Sequence, residues 1–293
     1  MTIELAGIAV AVVALVLAPA LHYAASGIAL QAAAGVPLPR QERYLSQLAA
    51  AAANRLTPGG VGAAALNVRY LTRRGSTGAR ALAAVGVLQV LGAFADLTVF
   101  AALFAVASAF GLTPHGAGPR LLGEVELPAL VVSRHPWLMA GLASAATLLV
   151  VCRRRTTRRP QREDRLSSLL GELRSLRHRR RDVAVVMAAS ASTTIVLGLG
   201  FVAAVATVAG PQVWRQCFSL LIGYMVGSAL GNAAPVPSGI GTTDTALIGV
   251  VAASGLVMHQ AVIAVVLFRL VAFWLPAALG LAAGAALRRR GAY

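Results

Sequence analysis

Long unbroken apolar stretches dominate the chain, and short polar or Pro/Gly-rich segments separate them. Residues 5 to 34 are apolar for longer than the roughly 20 residues a helix needs to cross hydrocarbon, which predicts a tilted or kinked first helix with Pro19 as the kink. Pro37 to Arg43 ends it. Further spans are predicted over 81 to 111, with Asp96 near its middle, over a short run from 137 to 152, over 183 to 209 before Pro211, and over 259 to 287 before Arg288, Arg289 and Arg290. Residues 112 to 136, with Pro114, Pro119, Pro128 and Pro136, read as a loop.

Two Pro/Gly-rich breaks interrupt this pattern. Asn54 to Gly62 lies between apolar arms at 44 to 57 and 63 to 71, each too short to span alone. Asn232 to Asp244 lies between arms at 213 to 234 and 245 to 256. A Pro-x-Gly-aliphatic-Gly core is common to both: Pro58, Gly59, Gly60 and Gly62 in the first, Pro237, Gly239 and Gly241 in the second, where Pro235 adds another breaker. Each break predicts a broken or re-entrant helix pair. Asn54 and Asn232 precede the breaks and can hydrogen-bond freed backbone groups. Gly223, Gly227 and Gly231 share one helical face, a small-residue stripe that admits a neighbouring backbone.

Composition strengthens the membrane reading: 58% of residues are hydrophobic, 12% are charged, and the mean hydropathy is +0.75, against an apolar share of about 45–50% in soluble domains. The net charge of +16 does not point to nucleic acid, because the arginines fall in short runs between apolar segments. That is the positive-inside pattern, with anionic lipid head groups as partners. All the basic residues are Arg, which carries no functional weight. No cleavable signal is expected, since residues 5 to 34 exceed a signal core and no charged segment precedes them. Cys152 and Cys217 are assigned to opposite faces, so no disulfide is expected.

Residues 153 to 181 carry many arginines and are assigned to the cytoplasm, as is the C-terminus. Within that loop Leu166, Leu169, Leu170, Leu173 and Leu176 recur at helical spacing, which fits an amphipathic helix on the inner leaflet or a solvated linker. On this topology the first break is entered from the cytoplasm and the second from outside. The expected architecture is therefore an all-α polytopic bundle, one membrane domain over 1 to 293, with inverted repeats at 5 to 111 and 183 to 287 joined by an Arg-rich linker at 153 to 182. Interrupted helices at matching positions point to a central transport site. Two kinks without a ligand are the alternative.

Charges at membrane depth cost roughly 2.5–3.5 kcal/mol each and normally find partners. Arg55, Arg69, Asp96, Asp244 and Arg269 are the candidates, and two acids leave at least one of three arginines without an acidic partner. Arg55, Arg69 and Arg269 would suit a phosphate-accepting cavity, although Arg55 and Arg69 can also snorkel to the surface. Asp244 can cap the helix after the second break, pair with Arg269, or titrate; Asp96 can pair with Arg55 or Arg69. No catalytic constellation, metal site or nucleotide motif is legible, so no cofactor is expected and the chain reads as a transporter rather than an enzyme.

Three stretches resemble the lysylphosphatidylglycerol synthetase transmembrane-region, or flippase-like domain, family: Leu56 to Gly62 followed by Arg69 to Gly75; Pro235 to Gly241 followed by Asp244; and Val266 to Pro276 around Arg269. Asp244 stands where that family commonly has Glu, and a helix that many members carry before residue 5 is not expected here. The resemblance implies a bacterial plasma-membrane domain that moves lipid, such as aminoacylated phosphatidylglycerol, between leaflets. The soluble aminoacyltransferase domain of fused members is not expected here, so its activity is not carried over. The alternative is a non-transporting partner that recruits a lipid-modifying enzyme or glycosyltransferase through the 153 to 181 loop. A homo-oligomer is compatible with either.

Overall fold

A computed structural model describes residues 2–57, 61–110, 180–233 and 239–293; the side chains of 2–4, 232 and 233 lie outside the description. The expected span at 137 to 152, the amphipathic stretch at 166 to 176, Cys152, and Pro58, Gly59, Gly60, Pro235 and Pro237 therefore fall outside the described residues. No strand occurs among those described.

Four helical stretches are long and apolar enough to cross a membrane: Leu5–Ala34, Gly78–Ala109, Arg180–Ala209 and Met258–Arg289. They agree with the hydrophobic pattern to within a few residues. Helix α1 (Thr2–Ala34) runs through Pro19 without a break in helical assignment, so the proline does not end a helical segment. It is followed by α2 (Arg40–Leu56), α3 (Val61–Arg73) and α4 (Gly78–Ala109). Thr77 caps α4, its hydroxyl accepting from the Arg80 amide. After α5 (Arg180–Ala209), a 3-10 segment at Pro211–Gln216 leads into α6 (Cys217–Ala233). Then come α7 (Thr242–Ala253), α8 (Met258–Arg269) and α9 (Leu275–Arg289).

Helices α8 and α9 are one apolar stretch interrupted by a π turn, Leu270–Trp274, where the sequence pattern predicts a continuous helix. Pro276, inside the first turn of α9, supplies a reason. A proline has no N–H for the ladder and its ring crowds the carbonyl four residues back, so the backbone widens just before it. The Leu275 amide accordingly donates to the Leu270 carbonyl, five residues back.

Helix α5 is the hub, packing on α1 most extensively and also on α4, α6 and α8. Its second half is buried from Gly200 to Ala206, in a core completed by Leu15, Leu220, Leu247, Val265 and Phe268. Exposed apolar residues such as Val10, Val13, Phe94, Ile263, Leu279 and Leu281 cover the outer faces of the long helices, as a lipid environment requires.

Both breaks separate the arms of helical hairpins. In the first, α2 packs on α3 and, more extensively, on α9. In the second, α6 packs on α7. The glycine stripe is the contact face: a side chain at Gly223 would meet Val250, one at Gly227 would meet Leu247, and one at Gly231 would meet the backbone of Thr243. Gly62 has the matching role in the first hairpin, against the Ala53 carbonyl and the Thr57 hydroxyl. Gly239 (φ 61°) and Gly241 (φ 83°) supply the left-handed turns that start α7.

Candidate functional site

A polar cavity of about 270 Å³ opens between the first hairpin and the core. Helix α1 contributes His22, Tyr23 and Ser26; α2 contributes Gln47, Asn54 and Arg55; α6 contributes Tyr224; the end of α8 and the π turn contribute Phe268, Arg269 and Phe273. Two of the arginines singled out in the sequence thus meet in one chamber, although more than two hundred positions separate them.

Their meeting point is Phe273. The Arg55 guanidinium lies 4.2 Å from the ring centroid and the Arg269 guanidinium 4.0 Å, so one aromatic ring serves two cations. Arg55 also donates from Nη1 to the Ala51 carbonyl (2.7 Å) and from Nη2 to the Phe273 carbonyl (3.3 Å), tying α2 to the π turn. The π turn is a feature of the cavity wall that sequence reasoning missed. Pro276 was its only signal.

Among the described residues Arg269 has a carboxylate partner and Arg55 has none. Nε of Arg269 lies 2.5 Å from Oδ1 of Asp244; the Arg269 side chain is 12% exposed and that of Asp244 32%, so the arginine end of the pair is mostly buried and the aspartate end is partly open. The other carboxylate oxygen of Asp244 accepts from the Gly241 amide at 2.9 Å. One aspartate therefore both starts α7 and holds it to the end of α8, which joins two roles that the sequence left as alternatives. Arg55, by contrast, has no carboxylate partner among the described residues, and its buried Nε has no hydrogen-bond partner there. Nδ1 of His22, in the same wall, is also buried and unpartnered among those residues.

Asp96 and Arg69 lie elsewhere. Asp96 does not pair with Arg55 or Arg69; it accepts a hydrogen bond from the Thr194 hydroxyl, linking α4 to α5. It lines a second cavity, of about 230 Å³, with Gln89, Asn67, Ser190 and Thr193. Ser26, Gln47 and Ala63 form the wall shared by the two cavities, where Gln47 donates to Asn67 at 3.1 Å. Arg69 is exposed on α3 and lines neither cavity. Positions 55 and 69 fall on different arms of the hairpin, α2 and α3, and of the two arginines only Arg55 on α2 faces the cavity.

At the breaks, threonines bond the backbone. The Thr57 hydroxyl accepts from the Gly62 amide at 2.8 Å and donates to the Ala53 carbonyl at 3.1 Å. The Thr242 hydroxyl donates to the Gly231 carbonyl at 2.9 Å. A threonine next to a Pro/Gly break was the available sequence signal for both. Asn54 lines the cavity. Among the described residues no cluster of three His, Cys, Asp or Glu side chains is arranged to hold a metal ion.

Such an arrangement can hold an anion: a cation without a carboxylate partner among the described residues, a second cation already paired, and neutral donors around them, between helices of a membrane bundle. A search of curated proteins finds no match to the chain. The family described as the lysylphosphatidylglycerol synthase TM region matches residues 2–280, nearly the whole length, and the chain is a member of that family of membrane domains.

Proposed function

We propose that this chain is a lipid flippase-like transporter, in which a phosphate-bearing head group enters the Arg55–Arg269 cavity while its acyl chains remain in the bilayer. The observation that carries this reading is Arg55, a guanidinium inside a polar chamber with no acid among the described residues to neutralise it. Holding such a charge among membrane helices is costly, and a phosphate oxygen would relieve the cost through charge-assisted hydrogen bonds. Membership of a family named for lipid chemistry supports the same direction.

In this reading the segments 5 to 111 and 183 to 287 are inverted halves of one domain, and movement of one half against the other changes which leaflet the cavity faces. The Arg-rich 153 to 181 region and the C-terminus lie on the cytoplasmic side of the plasma membrane, by the arginine bias.

The test is exchange of fluorescent phospholipid between leaflets of liposomes holding the purified protein, read by dithionite quenching. The intact protein accelerates exchange over protein-free vesicles. Arg55→Gln slows it by about 10- to 100-fold, the equivalent of a lost charge-assisted hydrogen bond. Exchange no faster than in empty liposomes for any phospholipid class overturns the proposal.

A further inference from the structure

The charge inventory of the cavity identifies the class of head group it accepts. This step rests on the reading of the cavity as a head-group site. The acids whose side chains are described are few, and each is placed: Glu42 pairs with Arg74, Asp244 pairs with Arg269, Asp96 takes the Thr194 hydroxyl in the second cavity, and Asp182 sits in the first turn of α5. None is left for Arg55, and among the described lining of the first cavity there is no carboxylate at all. Among the described residues the chamber therefore carries one net positive charge: Arg55, with the Arg269–Asp244 pair balanced.

One uncompensated cation matches one anion. We infer that the cavity selects a monoanionic phosphodiester carrying an uncharged, hydroxylated head, of the phosphoglycerol or phosphosugar kind, over aminoacylated or zwitterionic lipids. Three features point the same way. A single phosphodiester charge meets Arg55 without displacing Asp244 from Arg269, so binding need not break the contact that holds α7. An ammonium on the head group would enter a chamber that is already cationic and would find no described carboxylate there, leaving it desolvated and unpaired. The rest of the polar lining consists of neutral groups that both donate and accept, namely Tyr23, Ser26, Gln47, Asn54, Tyr224 and His22, whose Nδ1 has no partner among the described residues, and these suit hydroxyls. Asp96 lines the next cavity, beyond the shared wall of Ser26, Gln47 and Ala63. The volume of about 270 Å³ is also slightly below the ~300–1,000 Å³ of sites that enclose a drug-sized ligand, in keeping with a small head.

The experiment is equilibrium binding to the full chain in a neutral detergent, by thermal-shift and microscale thermophoresis titration. The probes are short-chain dihexanoyl phosphatidylglycerol, its lysyl ester, dihexanoyl phosphatidylcholine, dihexanoyl phosphatidic acid, and deacylated glycerophosphoglycerol. The expected result is that phosphatidylglycerol binds at least tenfold more tightly than the lysyl ester and the choline lipid, and more tightly than the phosphomonoester. Glycerophosphoglycerol reproduces the ranking at lower affinity if the head group carries recognition. Arg55→Gln removes the preference, and Arg55→Lys, which keeps the charge, retains it in part. Because the ranking is read on the unmodified protein, it does not depend on the variants folding. Equal or tighter binding of the lysyl ester overturns the inference, as does failure of all five probes to bind. Selective binding without lipid exchange in liposomes would instead leave this selectivity standing and remove the transport reading.

Discussion

The two hairpins are built from the same local device and put it to different uses. Each is a helix, a Pro/Gly break and a second helix, with a threonine hydroxyl on the backbone at the break and a glycine where the arms approach. The first hairpin is polar within. Ser46, Gln47 and Asn67 are buried and linked by hydrogen bonds, and α2 presents Gln47, Asn54 and Arg55 to the cavity. The second is apolar and self-packed. Its glycine stripe seats α6 on α7, Tyr224 is its one described side chain in the cavity wall, and Asp244 reaches the site only through Arg269. Matched breaks in sequence thus do not imply matched chemistry: one hairpin supplies a charge that has no acid partner among the described residues, and the other supplies the counter-ion that pairs the second charge.

The comparison makes separable predictions. The largest effect is expected at the packing of the second hairpin. Gly231→Leu places a side chain into the Thr243 backbone, which side-chain rotation cannot relieve, and should destabilise by at least the 1–3 kcal/mol typical of overpacking. Gly249→Ala, on α7 with open space around it, should leave the apparent melting temperature within a degree or two. Comparable losses from both, measured by thermal unfolding in detergent, would contradict the packing assigned to the stripe.

The next effect lies at the junction of the hairpin and the site. Asp244→Asn keeps an acceptor for the Gly241 amide and loses the charge, whereas Asp244→Ala loses both. The Ala variant should be less stable than the Asn variant by about 1 kcal/mol, the usual worth of an N-terminal cap. Both should alter lipid exchange, because Arg269 is then a second unpaired cation beside Phe273. If Asn and Ala are indistinguishable in unfolding, the aspartate is not a cap.

The smallest effect distinguishes the two arms of the first hairpin. Arg69→Gln should change lipid exchange by less than about twofold, since surface substitutions away from such sites usually stay within ±0.5 kcal/mol. A loss as large as that of Arg55→Gln would show that both arms face the substrate path and would overturn the asymmetry.

Much of this was legible in the chain. The four long spans, both breaks, the glycine stripe and the Asp244–Arg269 pairing were all available from hydropathy, spacing and the scarcity of charge at membrane depth. These are local facts. In hydrocarbon a segment must satisfy its own backbone, so its apolar length and its Pro/Gly interruptions announce the helix and its ends. A rare acid near a rare base within one short stretch leaves few choices of partner.

What only the tertiary structure decided is which distant side chains meet. The periodicity of α2 does not contain the information that Arg55 lies over Phe273, because that depends on how α2 crosses the last spanning helix. Nor does it separate Arg55 from Arg69, which look alike as charges in a hydrophobic hairpin, until one arm turns inward. Asp96 finds Thr194, a hydroxyl with no charge to mark it. The π turn likewise depends on a proline whose effect is spread over the preceding turn. Helix formation is dictated by the solvent each segment sees, but the pairing of charges is set by crossing geometry between helices far apart in sequence, and the shape and net charge of the cavity follow from that geometry.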